Sequence, residues 1–140
     1  MTNEAGLPGG RVFVVQRPAF YDREKRGWVN KYDISPAREF GELVYLLRPG
    51  NLYRDQLATT LVALRSALAD FSLDDYLLAI GDPVAIAAAV IAASQRTGGR
   101  VHLLKYDRMS GSYASYLVDL APNDGSKLLG PCDMVPITAS

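Results

Sequence analysis

Three observations predict an α/β domain built on a mixed sheet. Continuous apolar runs occur at residues 43–47 and 76–80, a third strand-like run at 101–106 is apolar apart from His102 and Lys105, stretches long enough for a helix separate them, and a short turn at residues 107–111 precedes a last extended run. Runs joined through helical stretches become parallel strands with right-handed crossovers, whereas a short turn can join only antiparallel ones. An unbroken apolar strand also has no polar side to offer a wet face, so both faces of the sheet should be covered. The predicted core is therefore β-α-β-α-β, parallel at Leu43, Tyr76 and Val101, with a C-terminal antiparallel strand at Tyr113.

Each element has a local reason. Residues 1–10 carry Glu4, Pro8 and three glycines and read as a flexible leader ahead of an α/β domain at residues 11–120. Arg11-Val-Phe-Val-Val-Gln16 is β-branched and aromatic, and Pro18, which cannot donate to a ladder, ends it as a strand. Residues 18–34 alternate aromatics with charges around a central turn, the pattern of a hairpin insertion, with Gly27 expected to supply the positive φ. Ser35 and Pro36 open a short helix that Gly41 stops. Asn51 is placed to cap a longer helix whose Leu57, Leu61, Leu64 and Leu68 form one apolar stripe.

Gly81-Asp82-Pro83 is a tight turn that supplies a cap and an N1 proline to a helix over residues 83–96. That helix carries Ala at 85, 87, 88, 89, 92 and 93 among Val84, Ile86, Val90 and Ile91, so it is apolar nearly all round and should be sandwiched. Gly98-Gly99 stops it. Residues 121–140 contain Pro122, Pro131 and Pro136 and form a punctuated tail with enough apolar residues to dock on this or another copy of the chain.

Composition narrows the function classes. The 140 residues balance 15 Lys+Arg against 15 Asp+Glu and include one His and one Cys. A lone Cys132 closes no intrachain disulfide, which points to the cytoplasm. One His and one Cys cannot build a structural zinc site, so no metal is expected. There is no basic start or apolar run typical of a secretory signal, and no apolar run long enough to span a membrane.

Catalytic signatures are absent as well. Neither a dinucleotide fingerprint nor a P-loop occurs, no cofactor is expected, and no Gly-x-Ser-x-Gly elbow is present. His102 alternates with apolar neighbours inside a predicted strand. Asp74 and Asp75 look like a turn before a strand rather than a carboxylate pair, and their combination with Asp82 as a cation site is the weakest option. Gly81 and Asp82 define the alternative ligand site, because loops beyond the carboxyl ends of parallel strands, where helix amides point inward, draw nucleotides and other anions. Asp82 competes for those same amides as the cap.

The charge distribution departs from the ordinary. Residues 11–38 hold seven Lys+Arg against three Asp+Glu, and Phe13, Phe20, Tyr21, Trp28 and Tyr32 lie among them. Cations neutralise phosphates and exposed rings stack on bases, while Trp, Tyr and Arg also dominate protein hot spots. The expected binding face is Arg17, Tyr21, Arg23, Lys25, Arg26, Trp28 and Lys31. A neutral total charge favours a host or phage protein as its partner, with single-stranded nucleic acid the alternative.

Three segments carry a resemblance. Arg11-Val-Phe-Val-Val-Gln-Arg-Pro18, Glu39-Phe-Gly-Glu-Leu-Val-Tyr-Leu-Leu47 and residues 74–108 (DDYLLAIGDPVAIAAAVIAASQRTGGRVHLLKYDR) resemble a family of small proteins of unknown function encoded by tailed bacteriophages and prophages. The resemblance spans about residues 11–120 and rests on segments that determine the fold, so it implies neither a catalytic residue nor a cofactor. It implies a cytoplasmic, non-virion accessory protein of an infected cell. Taken together, the sequence predicts a non-enzymatic binding protein. The all-round apolar helix adds the expectation of a homodimer or larger assembly.

Overall fold

The computed structural model describes residues 10–120, so the expected leader before residue 10 and the tail at 121–140 lie outside the described residues. Seven strands follow in order: β1 (Arg11–Gln16), β2 (Ala19–Asp22), β3 (Gly27–Asn30), β4 (Glu42–Leu47), β5 (Tyr76–Leu78), β6 (Arg100–Asp107) and β7 (Ser112–Asp119). Helices α1 (Leu57–Ala67) and α2 (Pro83–Thr97) and two short 3₁₀ segments, Ser35–Phe40 and Arg54–Gln56, complete the chain. A five-stranded sheet has the order β4-β1-β5-β6-β7, and β2-β3 form a separate hairpin. The strands at Leu43, Tyr76 and Val101 are parallel to β1 or to each other, and β7 runs antiparallel to β6. The α/β class and the mixed sheet are as the sequence predicts.

The position of β1 is the main addition. Val12, Phe13, Val14 and Val15 are all buried because β1 lies between β4 and β5 with packing on both faces. Phe13 and Val15 join Leu77, Val101, Leu64 and Leu68 beneath the α-helices, while Val12 and Val14 join Leu78, Leu104, Ile34 and Ala37 beneath the first 3₁₀ segment. The chain therefore leaves β1 in one direction to reach β4 and returns over it through α1 to reach β5. That reversal gives a doubly wound sheet, with its switch point between the carboxyl ends of β1 and β5.

Several expectations are corrected. Residues 43–47 are not buried on both faces: β4 is an edge strand paired only with β1, and Tyr45 is exposed. The second face of the sheet is covered by a 3₁₀ segment rather than a helix, which leaves Tyr106 and Leu117 exposed. The helix expected from Asn51 begins later, with Tyr53 at the N-cap of Arg54–Gln56 and α1 following. The reason is a tether, since the Arg48 and Gly50 carbonyls accept the side chain of Gln16 and hold this loop against the end of β1. At the hairpin turn Arg26 carries the positive φ of +52°, and Gly27 is already the first residue of β3. Asp22 accepts the Glu24 and Lys25 amides there and winds the turn one residue earlier than the glycine suggests.

Helix α2 is sandwiched on one side only. Ala85, Ala89 and Ala93 recur every four residues and are fully buried, their small side chains letting the helix lie close to the sheet. Val84 and Ile91 on the opposite side are more than half exposed. Both ends match their sequence signals: the Asp82 carboxylate accepts from the Val84 and Ala85 amides, and Gly98 closes the helix in the left-handed conformation with φ +67°.

At the opposite, amino-terminal edge of the sheet, Asp75 is buried. It accepts from the Arg11 amide at 3.0 Å, the Arg11 guanidinium at 3.0 and 3.2 Å, and the Ser72 amide at 2.9 Å. These charge-assisted bonds lock the start of β1 to the start of β5. They also raise the Arg11 guanidinium above its ordinary value, the Asp75 hydrogen bond being the main cause.

Candidate binding cleft

The two candidate surfaces named from the sequence meet in one place. The carboxyl end of β1 passes through Arg17 into the hairpin, and the carboxyl end of β5 passes through Gly81 and Asp82 into α2. Between them lies a cleft of about 540 Å³. Phe20, Tyr21 and Trp28 of the hairpin form one wall, and Arg17, Lys31 and Tyr32 come from its base. Gly50, Asn51, Ile80, Gly81 and Asp82 form the other wall. The cleft sits over the switch point of the sheet, where ligands of open α/β folds are usually held.

The hairpin wall is built by cross-strand pairing. Tyr21 stands opposite Trp28 in the register, and their rings meet edge to face with centroids 5.7 Å apart. Each still shows about half of its surface to solvent, 51% for Tyr21 and 47% for Trp28. The hairpin is moored at its base, where the Lys31 amide donates to the Pro18 carbonyl at 2.7 Å and Arg17 Nε donates to Asn30 Oδ1 at 3.0 Å. Such a pair needs little further ordering to grip a flat apolar group.

The opposite wall is organised by Gln16, which is only 7% exposed. Its Nε2 donates to the carbonyls of Arg48 at 2.9 Å and Gly50 at 2.5 Å, and its Oε1 accepts from the Asp82 amide at 2.8 Å. One side chain thus ties β1, the loop after β4 and the start of α2. Gly81 approaches it so closely that a Cβ there would fall 2.5 Å from Gln16 Cβ. Sequence reasoning missed Gln16; its only signal is a polar amide closing a buried β-branched run.

The Asp82 carboxylate is fully engaged. Besides Val84 and Ala85, it accepts the Leu52 amide at 3.3 Å. The amides of α2 therefore already hold an anion of the chain's own. These backbone bonds, the Val84 amide foremost, keep Asp82 below its ordinary value of 3.8. A carboxylate depressed in the fold stabilises it above the unfolded value, and this contribution is lost as pH falls through the folded value. On acidification the wild type should consequently lose more stability than Asp82→Asn, whose cap is independent of pH, when urea unfolding is followed by circular dichroism at neutral and acid pH; equal losses would contradict this.

The remaining sequence-named residues separate. Arg23, Lys25 and Arg26 lie exposed in the turn at the hairpin tip and do not line the cleft, whereas Arg17, Tyr21, Trp28 and Lys31 do. Arg11, counted in the basic segment, is at the far edge with Asp75 and Asp70. His102 is half-buried beside Tyr76, with ring centroids 5.4 Å apart, and Tyr76 in turn meets Phe40. Asp75 and Asp82 are at opposite ends of β5, so the acidic trio with Asp74 does not converge. Among the described residues no group of three or more His, Cys, Asp or Glu is arranged to hold a metal ion.

Comparison with known proteins places this geometry in a family. The family described as Phage Pam3 gp32-like protein matches residues 10–120, the whole span from the start of β1 to the end of β7. The chain belongs to the Phage Pam3 gp32-like protein family. No curated protein and no solved structure matches it. Family membership thus covers every residue of the cleft and agrees with the phage resemblance of the sequence, while the match itself names no ligand.

Proposed function

We propose that this phage-family protein is a binding protein without catalytic turnover, which holds an elongated macromolecular ligand in the cleft between its aromatic hairpin and the ends of β1 and β5. The observation that carries the reading is the convergence of Arg17, Tyr21, Trp28 and Lys31 with Gly81 and Asp82 on one cleft at the switch point. Rings and cations presented on a rigid frame suit recognition. The titratable groups that chemistry would need are otherwise engaged: Asp82 is a helix cap, Asp75 is locked to Arg11, and His102 is beside Tyr76. No helix among the described residues is long and apolar enough to cross a membrane, and an accessory role in the cytoplasm of an infected cell completes the proposal.

Affinity capture from infected-cell lysate tests it. An Arg17→Ala/Trp28→Ala variant should lose at least tenfold of the captured partner, while Arg23→Ala/Lys25→Ala/Arg26→Ala, at the tip, should keep most of it. Exposed charges away from a site rarely alter folding by more than about 0.5 kcal/mol, so the tip variant should fold, and the cleft variant is compared with it at matched circular dichroism and melting temperature. Undiminished capture by the cleft variant would refute the reading. The exposed Val84 and Ile91 on α2 also favour the expected homodimer, and light scattering that returns one chain mass at micromolar concentration would reject that part.

A further inference from the structure

We infer that the ligand is a single-stranded nucleic acid and that its path continues beyond the cleft, an inference that rests on the reading above. A second cavity of about 620 Å³ adjoins the first and shares Tyr32 and Ile80 with it. It lies over the ends of β5 and β6 and is lined by Lys105, Tyr106, Arg108 and Tyr113. The rings of Tyr106 and Tyr113 meet edge to face with centroids 5.4 Å apart, repeating the Tyr21–Trp28 pair on the other side of Tyr32. Burial, with Tyr32, Tyr106 and Asp33 nearby, pushes the Tyr113 hydroxyl above its ordinary value and keeps it neutral at physiological pH.

Together the two cavities make one groove along the carboxyl edge of the sheet, with ring pairs at both ends and Tyr32 between them. Its charge is complementary to a polyanion. Arg17, Lys31 and Arg108 face two acids, Asp82 and Asp33. Both acids spend their oxygens on the chain's own donors, Asp82 on Val84, Ala85 and Leu52, and Asp33 on the Ser35 amide and hydroxyl. None of these three cations is in a salt bridge among the described residues, whereas Lys105 carries its ammonium to the other face of the sheet, 5.9 Å from the Tyr116 ring centroid. Spaced stacking rings beside unneutralised cations are what a base-tolerant single-strand track requires. An acidic peptide would satisfy the cations but would leave the repeated ring pairs without flat partners. The neutral total charge does not oppose this, because the cations are gathered at one edge while Arg11 is neutralised at the other.

Fluorescence anisotropy of labelled thymidine oligonucleotides, from about 4 to 16 nucleotides, tests the inference on the full chain. Binding should tighten with length, quench Trp28 fluorescence, and weaken with salt with a logarithmic slope of about −2 for three phosphate contacts. Trp28→Ala should weaken binding about tenfold and Trp28→Phe should restore most of it, the value of one stacked base. Arg108→Ala should reduce the salt slope by about 0.7 for the longer oligonucleotides and leave the shortest unaffected. Each variant is compared at matched circular dichroism and melting temperature. Absence of binding at low salt, or binding indifferent to Trp28, overturns the inference. If binding does not grow with length, or Arg108→Ala has no effect at any length, the continuous groove is overturned and the first cleft stands. Capture of a protein through Arg17 and Trp28 that survives nuclease treatment, with no oligonucleotide binding, overturns the nucleic-acid inference while keeping the proposed function.

Discussion

Replacing Asp75 by Ala is expected to cost about 3 kcal/mol of stability or more, read from the midpoint of urea unfolding, because breaking a buried charge pair from one side costs about 3–5 kcal/mol. Asp75 is 1% exposed, and it accepts from two backbone amides as well as from Arg11. Removing it leaves the Arg11 and Ser72 amides without these acceptors at the joint between β1 and β5. Arg11 itself is partly open to solvent and keeps Asp70, so the loss should sit toward the lower end of that range. Asp75→Asn, which retains one acceptor oxygen, should fall between. A loss under about 1 kcal/mol for Asp75→Ala would mean that the network does not hold the two strands together.

Gly81→Ala is expected to be nearly as damaging and to act at the other end of β5. Gly81 has φ +125°, a conformation that side chains rarely adopt, and an added Cβ would meet Gln16 Cβ at 2.5 Å and Gln16 Oε1 at 2.8 Å. Gln16 cannot simply turn aside, because its amide holds Arg48, Gly50 and Asp82 at once. Positive-φ strain and overpacking each contribute on the order of 1–3 kcal/mol, so a total of about 3 kcal/mol is expected. The cleft should also open, since the displaced Gln16 releases the loop at Gly50 and the start of α2. A variant with wild-type stability and ligand capture would contradict this account of the wall.

What could be read from the sequence followed from local chemistry. Asp82, Pro83 and Gly98 mark the ends of α2 because cap and breaker residues act within one turn, and the alternation of apolar runs with helical stretches fixes the parallel core. Strand order was out of reach, because pairing depends on which runs meet in space. The apolar run Val12–Phe13–Val14–Val15 carries the signal of a doubly buried strand, yet Leu43–Leu47 carries the same signal and lies at the edge. A composition pattern cannot tell a strand covered by neighbours from one covered on a single face.

The candidate site shows the same division. Arg17, Tyr21, Trp28 and Lys31 were visible as a cationic, aromatic segment, and Gly81 with Asp82 as a strand-end turn, but they read as two surfaces until the placement of β1 beside β5 joined them. The tip residues Arg23, Lys25 and Arg26 share their composition and stand outside the cleft, since a hairpin turns its tip away from its base. Gln16, Tyr106, Arg108 and Tyr113 went unnoticed because their role comes from long-range contacts, those of Gln16 reaching 32 to 66 residues along the chain and the others joining the second cavity to the first at Tyr32.

The most direct measurement is site-specific photocrosslinking in infected cells. A benzophenone side chain placed at Tyr32, where the two cavities join, is compared with one at Ile91 on the outer side of α2. The account predicts a ligand adduct from position 32 that Trp28→Ala diminishes, with at most a second copy of the chain crosslinked from position 91. A ligand adduct formed from position 91 and absent from position 32 would contradict it.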